Sequence, residues 1–140
     1  MQHQMDAAAL SAFLVREFAQ VAEDFAVERL TPEGISVRLR VAGRHLRPGG
    51  TVSGPSIFAL ADVAVYLAIL SRIGPVALAV TTSASLDFLR KPAAGVDLIA
   101  ETRLLKLGRS LAVGDVLIYS EGMPEPVARA AMTYSIPPRR

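Results

Sequence analysis

Between Thr51 and Arg72 the chain reads T-V-S-G-P-S-I-F-A-L-A-D-V-A-V-Y-L-A-I-L-S-R, with almost nothing polar among Ile57, Phe58, Leu60, Val63, Leu67 and Ile69. Ser53 and Gly54 supply cap residues and Pro55 a first-turn proline, so the stretch predicts a helix beginning near Pro55. Gly74 and Pro75 supply its stop. Apolar side chains lie all round such a helix, which leaves two settings for it: a membrane, or the middle of a folded domain. It is short for a span and carries an acid at its centre, so a core helix is expected. That acid, Asp62, is the only charged side chain between Arg47 and Arg72. A carboxylate taken out of water needs a partner or a task, and the question of function starts there.

The length of 140 residues suits one domain with a real core; the expectation is a domain core over about 25–136 and a helical extension over 1–24. Hydrophobic residues make up 51% and charged residues 20%, which excludes a disordered chain. Without cysteine there are no disulfides, no thiolate chemistry and no Cys-ligated zinc. Two histidines, His3 and His45, are too few and too far apart for a histidine metal site, so no metal is expected. The net charge of +2 comes from scattered basic residues with no Lys/Arg stripe interleaved with aromatics, which argues against nucleic acid as a partner. The N-terminus, M-Q-H-Q-M-D-A, lacks the basic and then apolar run of a signal peptide, and a cytoplasmic protein is expected.

The remaining pattern is mostly strand. Leu10, Phe13, Leu14 and Phe18 mark one apolar helical face over Ala7 to about Gln20, capped by Asp6. A strand over 25–30, a turn at Thr31-Pro32-Glu33-Gly34, and the alternation of Ile35, Val37, Leu39 and Val41 predict a hairpin. After the core helix, extended segments are expected over 77–89, 96–107, 111–120 and 127–136; short turns make the last three an antiparallel meander. In the first of these, Leu86 and Phe88 share a face on which Thr82 and Ala84 also fall. One long apolar helix with five or six antiparallel strands is an α+β domain whose sheet wraps the helix.

Two features of the helix bear on chemistry. The N–H of Gly54 opens it, unpaired and at the positive end of the dipole, with Pro55 offering no competitor; such a group can bind a developing oxyanion. The same tripeptide is equally an ordinary helix start. Asp62 is either paired with an arginine such as Arg47 or Arg72, or bonded to backbone, or free to act as a general base or nucleophile. On one helix Gly54 and Asp62 stand roughly 12 Å apart along the axis, too far to serve one carbonyl. Two antiparallel copies bring the Gly of one beside the Asp of the other, so an acyl-transfer site here requires a two-fold dimer.

The pattern L-R-P-G-G-T-V-S-G-P-x6-D, then F-L-R-K-P and L-G-R-S-L, resembles the PaaI-like branch of the hot-dog-fold acyl-CoA thioesterases. That resemblance implies a hot-dog fold, a homodimer that pairs further into a dimer of dimers, and hydrolysis of acyl-CoA thioesters with no cofactor beyond the coenzyme A of the substrate. It also assigns roles by position. Asp62 takes the place of the catalytic acid and Gly54 that of the oxyanion glycine. Ser53 stands where the family's loop has His, Pro55 where it has a second Gly, and Thr82 near the hydroxyl that orients the attacking water. Arg47 stands where an amide side chain is usual; Arg90, Lys91, Arg109 and Ser110 fall in segments that meet the substrate's CoA portion. His45 lies outside the motif and is expected as a surface loop residue. Loss of the motif His leaves a non-catalytic acyl-CoA-binding domain as the alternative to a hydrolase; a dehydratase, which pairs His with an acid, fits less well.

Overall fold

The computed structural model describes residues 3–138. Its elements in order are α1 (Ala7–Glu17), α2 (Ala19–Ala22), β1 (Phe25–Leu30), β2 (Gly34–Leu39), a 3-10 turn (Gly43–His45), α3 (Gly54–Ile73), β3 (Val80–Phe88), β4 (Leu98–Leu107), β5 (Leu111–Ser120) and β6 (Pro126–Ser135). All six strands form one antiparallel sheet in the order β1-β2-β4-β5-β6-β3. The expected meander is β4-β5-β6, and the first extended segment after the helix lies beyond it as the outer edge.

The sheet curves round α3, and its inner face is set by alternation. Ile35, Val37 and Leu39 face the helix from β2, Leu98 and Ala100 from β4, Val116 and Ile118 from β5, and Ala128, Ala130 and Met132 from β6, all buried. From the helix, Leu60, Leu67, Ile69 and Leu70 are wholly inaccessible; each such side chain contributes on the order of 1.5–3 kcal/mol. Gly54–Ile73 is long and apolar enough to cross a membrane, but 13 of its 20 residues are buried inside the domain, and it is the core helix that the pattern implied. Gly114 lies under it, where a Cβ would meet the Val65 methyls at 3.2 and 3.3 Å.

Helix α1 starts at Asp6, whose carboxylate accepts from the Ala9 N–H at 2.8 Å, and lays Leu10, Phe13 and Leu14 on the core. It stops before Gln20, the expected end, because Phe18 leaves helical geometry at φ −140° and ψ 51°; a second, four-residue helix follows.

The loop before α3 is tightly held. Arg47 N–H donates to Thr51 O at 2.9 Å across Gly49 and Gly50, which take φ of 99° and 84°, values that L side chains rarely adopt. His45 is buried, contrary to the surface position expected of it. Its Nδ1 accepts from the Ala42 N–H at 2.9 Å, and its carbonyl accepts from the Ser53 N–H at 2.8 Å. It thus ties the loop to the residue that caps α3.

Candidate active site

Asp62 sits on the third turn of α3, where the helix passes beneath the edge of the sheet. Its Oδ1 accepts two hydrogen bonds, from Thr81 Oγ1 at 2.5 Å and from the Tyr134 hydroxyl at 2.8 Å. The same hydroxyl reaches the Asp62 main-chain oxygen at 2.9 Å. No described residue donates to Oδ2. The arginine pairing weighed above does not occur: Arg72 donates to Thr31 O and Pro32 O at 3.2 and 2.7 Å, and Arg47 lines a different cleft. One carboxylate oxygen is therefore held by two donors and the other by none of the described residues. Burial, and then the Asp62 charge beside it, hold the Tyr134 phenol well above its ordinary range, so the phenol stays protonated and donates.

Thr81, not Thr82, is the hydroxyl on Asp62. The register of β3 on β6 slips between Thr81 and Ser83, so Thr81 pairs with Tyr134 on the inner face while Thr82 is an extra, bulged residue. Thr82 is exposed and donates to Thr133 O at 3.3 Å. Strict alternation counted back from Leu86 lands one residue off for that reason. Tyr134 was also absent from the expected set. Its signal lies in β6, where Ala128, Ala130 and Met132 place it on the inner face, and a buried tyrosine hydroxyl needs a partner.

Gly54 opens α3 and its N–H has no partner among the described residues. The Ser53 side chain is committed to capping: its Oγ accepts from the Ser56 N–H at 3.3 Å and donates to Ser56 Oγ at 3.1 Å. Pro55 follows it, exposed, in the first turn. The Phe88 ring lies over Gly54, where a Cβ would come within 3.2 Å of Cζ.

Within one chain these residues fall into two places. A cleft of about 490 Å³ is lined by Gly54, Arg47, Phe88, Arg90 and Lys91. A second cavity of about 540 Å³ holds Asp62, Thr81 and Tyr134 with apolar walls. The clefts lie at opposite ends of β3, because Phe88 meets Gly54 and Thr81 meets Asp62. Arg109 and Ser110 line neither; they are exposed in the β4–β5 turn, at the Asp62 end, where Ser110 O accepts from Ile136 N–H at 2.8 Å. Among the described residues no three His, Cys, Asp or Glu side chains converge on a metal position.

The thioesterase superfamily model matches residues 49–127, which include both Gly54 and Asp62. A candidate thioesterase from Silicibacter sp. TM1040 is similar over 99% of this chain and 96% of its own, with 59% identity and a TM-score of 0.92. A point mutant of the phenylacetic acid degradation protein PaaI from Thermus thermophilus is 30% identical over 90% of this chain and 99% of its own, with a TM-score of 0.70. A Streptococcus mutans protein solved bound to acetyl CoA is 26% identical over 83% and 90%, with a TM-score of 0.71. Among curated proteins the comparison found no match. With its helix wrapped by an antiparallel sheet, an unpaired carboxylate oxygen on that helix, and these relatives, the chain belongs to the thioesterase superfamily, in its PaaI-like branch, and is a thioester hydrolase on the hot-dog fold.

Proposed function

We propose that the protein hydrolyses acyl-CoA thioesters at a site shared between two copies, with Asp62 as general base and Gly54 of the partner subunit as oxyanion donor. The observation that carries this is the asymmetry of the Asp62 carboxylate: Thr81 and Tyr134 both donate to Oδ1, Oδ2 has no donor among the described residues, and Asp62 lines a cavity. A water held by Oδ2 attacks the thioester carbonyl carbon and gives its proton to Oδ2. The carbonyl oxygen, now anionic, is met by the helix-opening N–H. Collapse expels the CoA thiolate, which takes the proton back, leaving a free acid and CoA–SH. Acetyl CoA in the Streptococcus mutans relative supports the choice of carrier.

The dimer rests on β3. It is one of the two edge strands of the sheet, seven of its nine residues are exposed, and Asp87 is its only charge. A long edge of that kind is a template for a further strand. Antiparallel pairing of β3 with its own copy about Ala84 sets the Phe88 end against the partner's Thr81 end. Gly54 then approaches the partner subunit's Asp62, and Arg47, Arg90 and Lys91 approach the same mouth as the partner subunit's Arg109. Those cations suit the phosphates of CoA. Pairing of dimers into a tetramer and a cytoplasmic location complete the proposal.

Asp62→Asn tests it. The amide keeps the shape and cannot take the proton, so CoA release should fall by about 1,000-fold, the middle of the usual acid–base contribution, with the urea midpoint little changed. Turnover within tenfold of wild type would dismiss Asp62 as the base. Tight binding of an acyl-CoA that the wild-type protein leaves intact for hours would select the binding-domain alternative.

A further inference from the structure

The superfamily match begins at residue 49, yet the cavity beside Asp62 is closed by residues far upstream of it. Glu17, Phe18, Gln20 and Val21, from the α1–α2 junction, form one wall. Local structure places this junction. α1 is pinned to the core through Phe13 and Leu14, and the non-helical Phe18 turns its ring edge-on to Tyr66, centroids 6.1 Å apart at 82°. Tyr66 is itself fixed by donating to Ala77 O at 2.9 Å. Across the cavity, Phe58 and Val80 remain 39% and 58% exposed, apolar surface that no described side chain covers.

We propose that this cavity seats the acyl group and that the α1–α2 junction, through Phe18, Val21 and Glu17, determines which acyl groups are accepted: neutral, apolar chains and not ω-carboxylated ones. The inference rests on the thioesterase reading above. The acyl carbon must lie one water away from the Asp62 carboxylate, and the cavity that Asp62 lines is walled by Phe18, Val21, Phe58, Val63 and Tyr66. Among the described residues no Lys or Arg lines it, and its charged members are Asp62 and Glu17. A terminal carboxylate would meet two acids on the wall, and the cation beside Glu17, Arg16, lies outside the lining and is already paired with Glu17 at 3.2 Å; seating a carboxylate there costs affinity. Each methylene seated there gains about fourfold, so the cavity favours a chain over an acetyl group.

The test uses the full chain with octanoyl-CoA, acetyl-CoA and suberyl-CoA, the ω-carboxyl counterpart of octanoyl-CoA. Wild type should favour octanoyl- over suberyl-CoA by at least about tenfold in kcat/KM. Val21→Phe, at a half-buried position where extra bulk enters the cavity, should lower the octanoyl-to-acetyl ratio about tenfold. Glu17→Lys should raise the suberyl-to-octanoyl ratio about tenfold. Ratios unchanged in both variants would overturn the assignment of the wall. The same three ligands titrated by calorimetry read the same ratios without turnover. If wild type binds selectively and hydrolyses nothing, the catalytic reading fails and the wall stands; if it hydrolyses all three alike, the wall fails and the catalytic reading stands.

Discussion

Thr81 and Tyr134 each hold Oδ1 of Asp62, at 2.5 and 2.8 Å, and together they decide where Oδ2 points. Hydrogen bonds to a charged group contribute about 1.5–3 kcal/mol each. Removing either alone, as Thr81→Val or Tyr134→Phe, leaves the other donor holding the same oxygen. Each single change should therefore cost about 1.5 kcal/mol of the orientation, close to tenfold in kcat. With both removed nothing fixes the carboxylate torsion, and the loss in kcat should exceed the product of the single losses, at about 300-fold or more, with KM moved less than about threefold. The four proteins of this cycle would be assayed for CoA release with a thiol-reactive chromophore, and their stabilities read from urea midpoints. Losses that simply multiply, or a double variant with near-normal kcat and a lowered urea midpoint, would refute the argument. The two hydroxyls would then be structural partners of Asp62 and not the means of aiming it.

Other consequences are independent of that cycle. A Cβ on Gly34 would stand 1.9 Å from Thr102 O, inside the β2–β4 pairing, so Gly34→Ala should cost about 3 kcal/mol in urea unfolding, the upper range of overpacking. Tyr134 ionises far above its ordinary 10.0 when folded, chiefly through burial; above about pH 10 the unfolded chain sheds that proton and the folded one does not. Stability should therefore fall as pH rises, by up to about 1.4 kcal/mol per pH unit from this group, and Tyr134→Phe should flatten the decline in urea midpoint between about pH 9 and 11. Arg47 and Lys91 line the Gly54 cleft with no ion-pair partner among the described residues. Arg47→Ala with Lys91→Ala should raise KM for an acyl-CoA several-fold and weaken its dependence on salt.

The architecture was legible in the sequence because its signals are periodic. The all-round apolar run ending at Gly74, with an acid at its centre, pointed to a core helix, and alternation in β2 gave its inner face, whereas β6 was legible only as an extended segment. Asp62 stood out as a candidate for a different reason, as the lone acid in that run, whereas Gly54 read equally well as an ordinary helix start and gained its assigned role from the family resemblance. Thr81 was hidden by a bulge, a one-residue slip that composition does not mark, since Thr81 and Thr82 are identical in type. Tyr134 was hidden by distance, 72 residues from the carboxylate it holds. His45 was misplaced because a loop residue is ordinarily solvated, whereas here it fills the space under the loop and ties it to the helix cap.

The separation of Gly54 and Asp62 to opposite ends of β3 has a genetic corollary. On the shared-site proposal each chain carries two halves that serve different reactions. A chain spoiled only at residue 62 still lends its neighbour a sound amide, and one spoiled only at residue 54 still lends a sound acid. Co-expressed, two such inactive alleles would yield mixed pairs in which one centre collects both lesions and the other none. Half of the centres in those hybrids would work, an interallelic rescue that no single-chain active site can produce.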